Sequence, residues 1–324
     1  MNAPETISRR DRTVGGLWGS LVGDALGVPV EFKDRATVQA DPVTDMRKYG
    51  THRQPKGTWS DDGALILCTT DSLANHGFDL ADMGERFVNW MNNGFWTANG
   101  EVFDVGSTTS TALLHIANGT PADQAGSQHE DSNGNGSLMR ILPVALRFAA
   151  DPINLFANHM EQVSAITHGH SRSRMACVFY GLVVRKLLLG LQAHAALDSA
   201  RAEFSSFYRQ AEALPHFRHI LEDDLASLPE GEIVSTGYVL HTLHASLWCL
   251  LTTQSFRECV LKGVNLGGDT DTTGCVAGGL AGAAYGMKSI PTDWIGQLAH
   301  KSDVDVLFQK FADMCEDTGM KTPD

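Results

Sequence analysis

Four glycines spaced four apart, Gly15, Gly19, Gly23 and Gly27, constrain this chain more than any other feature of its sequence. On a helix that spacing lines them along one nearly bare stripe. Each glycine in a helix interior costs about 1 kcal/mol relative to alanine. Close approach of a second helix is the usual compensation. A partner is present in the sequence: Gly274, Gly278, Gly282 and Gly286 repeat the spacing among Ala277, Ala281 and Ala284. Asp24 and the short length of the first stripe exclude a membrane span. If the two helices pack antiparallel, Glu31 (just past the end of the first) meets Asp269 and Asp271 (just before the second).

Nearly everything between the stripes also reads as helix. Ser60-Asp61-Asp62-Gly63 ahead of Ala64 to Cys68 is a cap followed by an apolar run. Apolar periodicity predicts further helices around 80–92, 108–117, 138–149, 152–165, 174–191, 200–212, 236–253, 255–264 and 293–315. No alternating run with hairpin turns occurs. The expected class is all-α, a large single-domain globular helical bundle. Residues 1–12 are expected to form a flexible tail and residues 13–318 the domain. A chain of 324 residues, 43% hydrophobic and without a linker or a fixed repeat, can bury one large core.

The formal charge of −13 argues against binding nucleic acid through phosphate neutralisation. Any anionic ligand must then be held by helix N-termini, bound cations or a few Arg and His side chains. The polar stretch Met1 to Arg12 lacks the apolar core of a signal peptide, and no window is apolar enough to span a bilayer. Six scattered cysteines without a C-x-x-C pair look like reduced, buried thiols. A cytoplasmic monomer with no membrane partner is expected.

Five polar clusters carry the chemistry. Gly267-Gly268-Asp269-Thr270-Asp271-Thr272-Thr273-Gly274 presents carboxylates and hydroxyls between glycines, an oxygen-only set suited to Mg²⁺, Ca²⁺ or Mn²⁺ rather than zinc. The competing reading is an Asx-rich surface turn that caps the next helix. Gly57-Thr58-Trp59-Ser60-Asp61-Asp62 reads as a helix cap or as a second compact oxygen site. Asp104, ahead of Ser107-Thr108-Thr109, is unremarkable as a cap. Ser132-Asn133-Gly134-Asn135-Gly136-Ser137 is a flexible turn or an anion site of free N–H groups at a helix start. Thr167-His168-Gly169-His170-Ser171-Arg172 suits polar contacts to a ligand better than zinc. His241 and His244, three apart on a helix, read as structural or solvent-facing.

In their order, these clusters resemble the ADP-ribosylglycohydrolase family over about Gly15 to Gly286. The motifs that carry the resemblance are Gly23-Asp24-Ala25-Leu26-Gly27 followed by Glu31, Gly57 to Asp62, Asn133 to Gly136, and Asn265 to Thr272. The resemblance implies an all-α fold with two divalent cations, Mg²⁺ or Mn²⁺, at the base of a cleft. Ser60, Asp61, Asp62, Asp269, Asp271 and Thr272 match the metal ligands, Ser60 standing where many members have threonine. Glu31 and Asp104 match catalytic acidic residues near the metals. Asn133, Gly134, Asn135, Gly136, Ser137 and His168 match positions around the ribose and diphosphate, and Tyr238 a residue near the adenine. His241 and His244 replace residues that are often acidic in close relatives.

The implied activity is hydrolysis of the N-glycosidic bond between ADP-ribose and an acceptor, foremost arginine on a protein. The partner is then an ADP-ribosylated protein or a small ADP-ribosyl compound. Clustered carboxylates would raise one another's pKa severely, and two cations relieve that while templating ribose hydroxyls and a water. Three alternatives stay open: action on serine-linked or other ADP-ribosyl compounds, a non-catalytic ADP-ribose reader, and a two-metal phosphoesterase.

Overall fold

The structure is a computed structural model that describes residues 7–316, which form sixteen α-helices, five short 3₁₀ turns and no sheet. The helices are α1 (Arg9–Gly27), α2 (Arg35–Ala40), α3 (Asp61–His76), α4 (Leu80–Asn93), α5 (Ser107–Ala117), α6 (Ala122–Ala125), α7 (Leu142–Arg147) and α8 (Ile153–Ala165). They continue with α9 (Ser171–Leu188), α10 (Ala193–Phe207), α11 (Arg218–Glu222), α12 (Val239–Leu251), α13 (Phe256–Val264), α14 (Thr270–Tyr285), α15 (Thr292–Gln297) and α16 (Lys301–Glu316). None of the described helices is long and apolar enough to cross a membrane.

The two glycine stripes are the axis of the molecule. α1 and α14 run antiparallel with their backbones in contact, Gly15 against Gly282, Gly19 against Gly278 and Gly23 against Gly274. A Cβ on Gly278 would sit 2.1 Å from the Gly19 carbonyl oxygen, and one on Gly282 would sit 2.0 Å from that of Gly15. Only glycine permits this approach, which is what offsets its poor helix propensity. At the far end Arg12 donates to the carbonyls of Ala283 (2.8 Å) and Ala284 (2.5 Å), satisfying the orphan acceptors at the α14 C-terminus. Around the pair, α9, α12 and α13 pack on α14, while α3 and α16 pack on α1. Trp18 of α1, fully buried, meets Phe308 of α16 edge to face.

Beside shifts such as that of α10, expected over 200–212 and found at Ala193–Phe207, the structure departs from the sequence reading in three further places. Arg9 to Arg12 belong to α1, capped by Ser8, whose hydroxyl accepts from the Asp11 amide. Residues 1–6 of the expected tail, and the domain end at 317–318, lie outside the described residues. Second, the stretch 138–149 is helical only from Leu142 to Arg147. Third, the continuous periodicity over 293–315 is broken at His300, whose φ is +45°. There the chain crosses the Gly57 loop, Ala299 donating to the Gly57 carbonyl, and a Cβ on Gly57 would lie 1.8 Å from the Gln297 oxygen.

Candidate active site

The open end of the α1–α14 pair gathers the acidic motifs. α3 starts there because Ser60 caps it, accepting from the Asp62 amide. Asp24, fully buried on α1, accepts from the Ser60 amide (3.0 Å), the Ser60 hydroxyl (3.1 Å) and the Gly63 amide (2.7 Å). This pins the first turn of α3, with Asp61 and Asp62, against the glycine stripe. α14 starts after Gly267 and Gly268, both at φ +73°. A Cβ on Gly268 would lie 2.0 Å from the Ser235 oxygen, so the turn is closed to any other residue. Thr270 donates to the Gly27 carbonyl (2.9 Å), fastening the α14 start to the end of α1.

The surface-turn reading of this motif does not hold. Asp269 makes no side-chain cap, and Thr270, Asp271 and Thr272 are buried. Instead Asn135 donates to Asp269 Oδ2 at 2.8 Å. Asp104 is no cap either; it holds a left-handed φ of +58°, and α5 follows without a side-chain cap.

Glu31, Asp61, Asp62, Asp104, Asp269 and Thr272 line one cavity of about 230 Å³. Asp271 is buried, with a carboxylate oxygen within 4.8 Å of those of Glu31 and Asp269. Burial, reinforced by the charge of Asp269 and other carboxylates, pushes the Asp271 carboxyl well up. Asp61, Asp62 and Glu31 move the same way, first by burial and then by their acidic neighbours. Asp104 rises to about 6, mainly by burial and then by Asp269. Asp24 is pushed up to about 7 by burial, its three donors pulling the other way.

Asp62 Oδ2, Asp269 Oδ1 and Asp271 Oδ2 are buried without a hydrogen-bond partner among the described residues. Buried carboxylate oxygens are otherwise paired or bound to metal. An all-oxygen set of this charge fits hard divalent cations. Thr272 adds its hydroxyl, 3.4 Å from Asp62 Oδ1. The Ser60 hydroxyl is engaged with Asp24 and the Asp62 amide and is not on the cavity wall.

The opposite wall carries neutral groups. Gly134, Asn135, Gly136 and His168 line the cavity with Gly237. The loop is shaped by pairing with the next segment, Asn135 donating to the Gly237 carbonyl and Val239 to that of Asn133. The loop does not open directly onto a helix, because α7 begins only at Leu142, and the Asn135 amide is already used. Asn133 and Ser137 face away from the cavity. Asn133 accepts from Ser173 and donates to the Glu130 carbonyl, while Ser137 accepts from Ser164. Tyr238 faces a second cavity of about 490 Å³, lined also by His216, His219, His241 and His244. His241 and His244 are therefore cavity residues; His241 meets the Tyr238 ring edge-on at 4.9 Å and its Nδ1 bonds the Thr236 hydroxyl.

The family profile described as ADP-ribosylglycohydrolase matches residues 5–320. The chain is 32% identical to "ADP-ribosylarginine hydrolase Tri1" of Pseudomonas putida (strain GB-1) over 306 residues, 94% of this chain and 78% of that protein. It is also 32% identical to "ADP-ribosyl-[dinitrogen reductase] glycohydrolase" of Rhodospirillum rubrum over 310 residues, 92% of this chain and 94% of that protein. A solved structure titled "ADP-ribosylglycohydrolase-related protein complex" superposes with a TM-score of 0.79 at 32% identity, covering 95% of this chain and 99% of that one. The chain belongs to the ADP-ribosylglycohydrolase family.

Two residues of this ADP-ribosylglycohydrolase escaped the sequence reading. His52 hydrogen-bonds Glu31 Oε2 through Nε2, lies 4.0 Å from Asp104, and is flanked by the rings of Phe32 and Phe103. Nothing in Tyr49 to Gln54 marks it; the turn that carries it is recognisable only once Thr51 is seen bonding the carbonyls of Glu31 and Pro29. Asp24 did have a signal. A carboxylate inside a helix buried on all sides must be matched with donors.

Proposed function

We propose that this protein hydrolyses the N-glycosidic bond between ADP-ribose and an arginine guanidinium of a modified protein, using two divalent cations, Mg²⁺ or Mn²⁺. The observation that carries this reading is the trio of buried carboxylate oxygens on Asp62, Asp269 and Asp271, without a partner among the described residues, in one floor with Asp61, Asp104 and Glu31. Asp61, Asp62, Asp269, Asp271 and Thr272 would hold the cations, and Ser60, engaged with Asp24, would hold the first turn of α3 that carries two of them. When bound, these neutralise the floor, orient ribose hydroxyls and make water easier to deprotonate. The arginine acceptor is supported by the name of the Pseudomonas putida relative.

Glu31 serves as the base. His52 holds one of its carboxylate oxygens, which leaves the other for the attacking water. The water proton passes to Glu31 as the oxygen bonds C1″, and the C1″–N bond breaks with its electron pair leaving on the guanidine. Asp104, across His52 from Glu31, contributes negative charge that stabilises the oxocarbenium-like state. The acidic cavity is smaller than the roughly 300–1,000 Å³ typical of ligand pockets. The ligand therefore continues past Gly237, with Gly134, Asn135, Gly136 and His168 along the diphosphate and Tyr238 beside the adenine. Asn133 and Ser137 act by holding that loop in shape.

The test is ADP-ribose release from an ADP-ribosyl-arginine and an ADP-ribosyl-serine peptide, in Mg²⁺, Mn²⁺ or EDTA, with Asp269→Asn beside the wild type. Release from arginine is expected, abolished by EDTA and lowered about 10³-fold or more in the variant. Release from serine alone would move the acceptor. ADP-ribose bound tightly but never released from either peptide would replace the hydrolase by a reader.

A further inference from the structure

Arg140 is a cation in the wrong place for a structural residue. It is fully buried, and no carboxylate is among the charges that act on it. Nη1 donates to the Val163 carbonyl (3.2 Å), Nη2 donates to Thr167 Oγ1 (2.7 Å), and the guanidinium lies 4.7 Å from the Phe87 ring centroid. An uncompensated buried cation is costly, and an apolar side chain would fill the same volume without that cost. Its one side-chain hydrogen bond leads to the cleft, since Thr167 Oγ1 is also 2.8 Å from His168 Nδ1.

Donors, acceptors and burial together assign the protons in this chain of groups. A guanidinium has donors only, so the Thr167 oxygen must accept from Arg140. The hydroxyl could accept a second bond, but its own buried proton meets no other acceptor among the described residues, so it goes to the remaining partner, His168 Nδ1. Nδ1 is thus an acceptor, and the proton of the neutral imidazole sits on Nε2. That nitrogen is turned to the cavity: Cβ atoms built on Gly134 or Gly136 would lie 3.4 Å from it. It has no hydrogen-bond partner among the described residues. Burial, with the charge of Arg140 behind it, lowers the ring to about 3, which keeps the imidazole neutral across the physiological range.

We infer that Arg140, acting through Thr167, fixes His168 as an Nε2–H donor to the cleft, so that the ligand group seated against it is an oxygen acceptor. On the reading of the site as an ADP-ribose cleft, that acceptor is a diphosphate or ribose oxygen; the proton arrangement itself does not depend on that reading. The opposite tautomer would present a lone pair to the same oxygen and repel it. Arg140 and Thr167 are positioning residues, and His168 makes the contact.

Long-range ¹⁵N–¹H correlation spectra of histidine-labelled protein separate the two tautomers, with His168→Gln assigning the resonance among thirteen histidines. The wild type and Thr167→Ser are expected to show the Nε2–H pattern. Thr167→Val, nearly isosteric but without a hydroxyl, is expected to show a mixture. ADP-ribose affinity should fall about tenfold in Thr167→Val, the loss of one well-placed hydrogen bond, and stay within about twofold in Thr167→Ser. Thermal melts confirm that both variants fold. An Nδ1–H ring in the wild type would overturn the inference, as would wild-type spectra and affinity in Thr167→Val. An Nε2–H ring that Thr167→Val disturbs, in a protein that does not bind ADP-ribose, would support the relay and sink the ligand reading instead.

Discussion

The two ends of the α1–α14 pair follow opposite physical rules. Along the seam, helices touch because side chains are missing, and each backbone carbonyl rests where a Cβ would otherwise be. Past Gly27 the same close approach brings the carboxylates of Glu31, Asp61, Asp62, Asp104 and Asp269 to one cavity. The seam is complete within the chain itself. The acidic end has buried oxygens without partners among the described residues, and its carboxyls rise together toward their neutral forms. Rigid packing in one half thus holds the electrostatic strain of the other, and preorganised charge of this kind is what a metal-assisted hydrolase needs.

Breaking the seam should give the largest effect. Gly278→Leu places a branched side chain where even a Cβ lies 2.1 Å from a carbonyl oxygen. Overpacking a well-packed core by lesser amounts costs about 1–3 kcal/mol, against a total stability of about 5–15 kcal/mol. No folded protein is expected by circular dichroism. Gly278→Ala should still fold but melt well below the wild type. Gly296→Ala in α15, where a Cβ meets nothing within 4 Å, should melt within a few degrees of it. Equal melting of the two alanine variants would show that the seam is looser than its geometry states.

The seam was legible in the sequence because its information is local: glycines four apart, twice. The acidic floor was legible for a related reason. Asp61-Asp62 and Asp269-Thr270-Asp271-Thr272 each carry their oxygens within a few residues of a helix start. What could not be read is set by tertiary neighbours. Asn133 and Ser137 sit in the same Gly/Asn loop as Asn135, yet only Asn135 of the three is on the cavity wall, because pairing with Gly237 and Val239 fixes how the loop turns. His241 and His244 line a cavity whose other wall comes from residues some twenty-five positions earlier. The break at His300 answers to Gly57, far away in the chain.

A smaller effect separates the two ends by pH. Asp24 and Asp104 rise from 3.8 to about 7 and about 6. A carboxyl whose folded pKa exceeds its unfolded value holds its proton more tightly in the folded state. Its contribution is full below the unfolded value and is lost as pH rises through the folded one. Metal-free protein should therefore lose thermal stability between pH 4 and pH 7, by about 5 °C or more. Excess Mg²⁺ should flatten that fall, because cations supply the charge that protons supplied. Melting curves in EDTA and in Mg²⁺ over this range make the comparison. A gap between the two curves that does not widen with pH would mean that the floor carries no such strain.

The mildest change reaches into the floor without altering its charge. His52→Phe keeps a ring between Phe32 and Phe103 but removes the nitrogen that holds Glu31. One hydrogen bond of this kind contributes about 1–1.5 kcal/mol, so kcat should fall about tenfold. KM should stay near its wild-type value, because His52 touches Glu31 and not the wall along which the ligand lies. His52→Gln, whose amide nitrogen can stand near the position of Nε2, should recover most of kcat, and neither variant should melt differently from the wild type by more than a few degrees. If KM rises instead and kcat holds, His52 binds ligand, and Glu31 keeps its position through backbone contacts alone. Those contacts run from Thr51 to the Glu31 carbonyl and from Phe32 to the carbonyl of Gly268. In that case the glycine turn at the start of α14 would position the base as well as the aspartates, and the two ends of the helix pair would be coupled more tightly than the side chains imply.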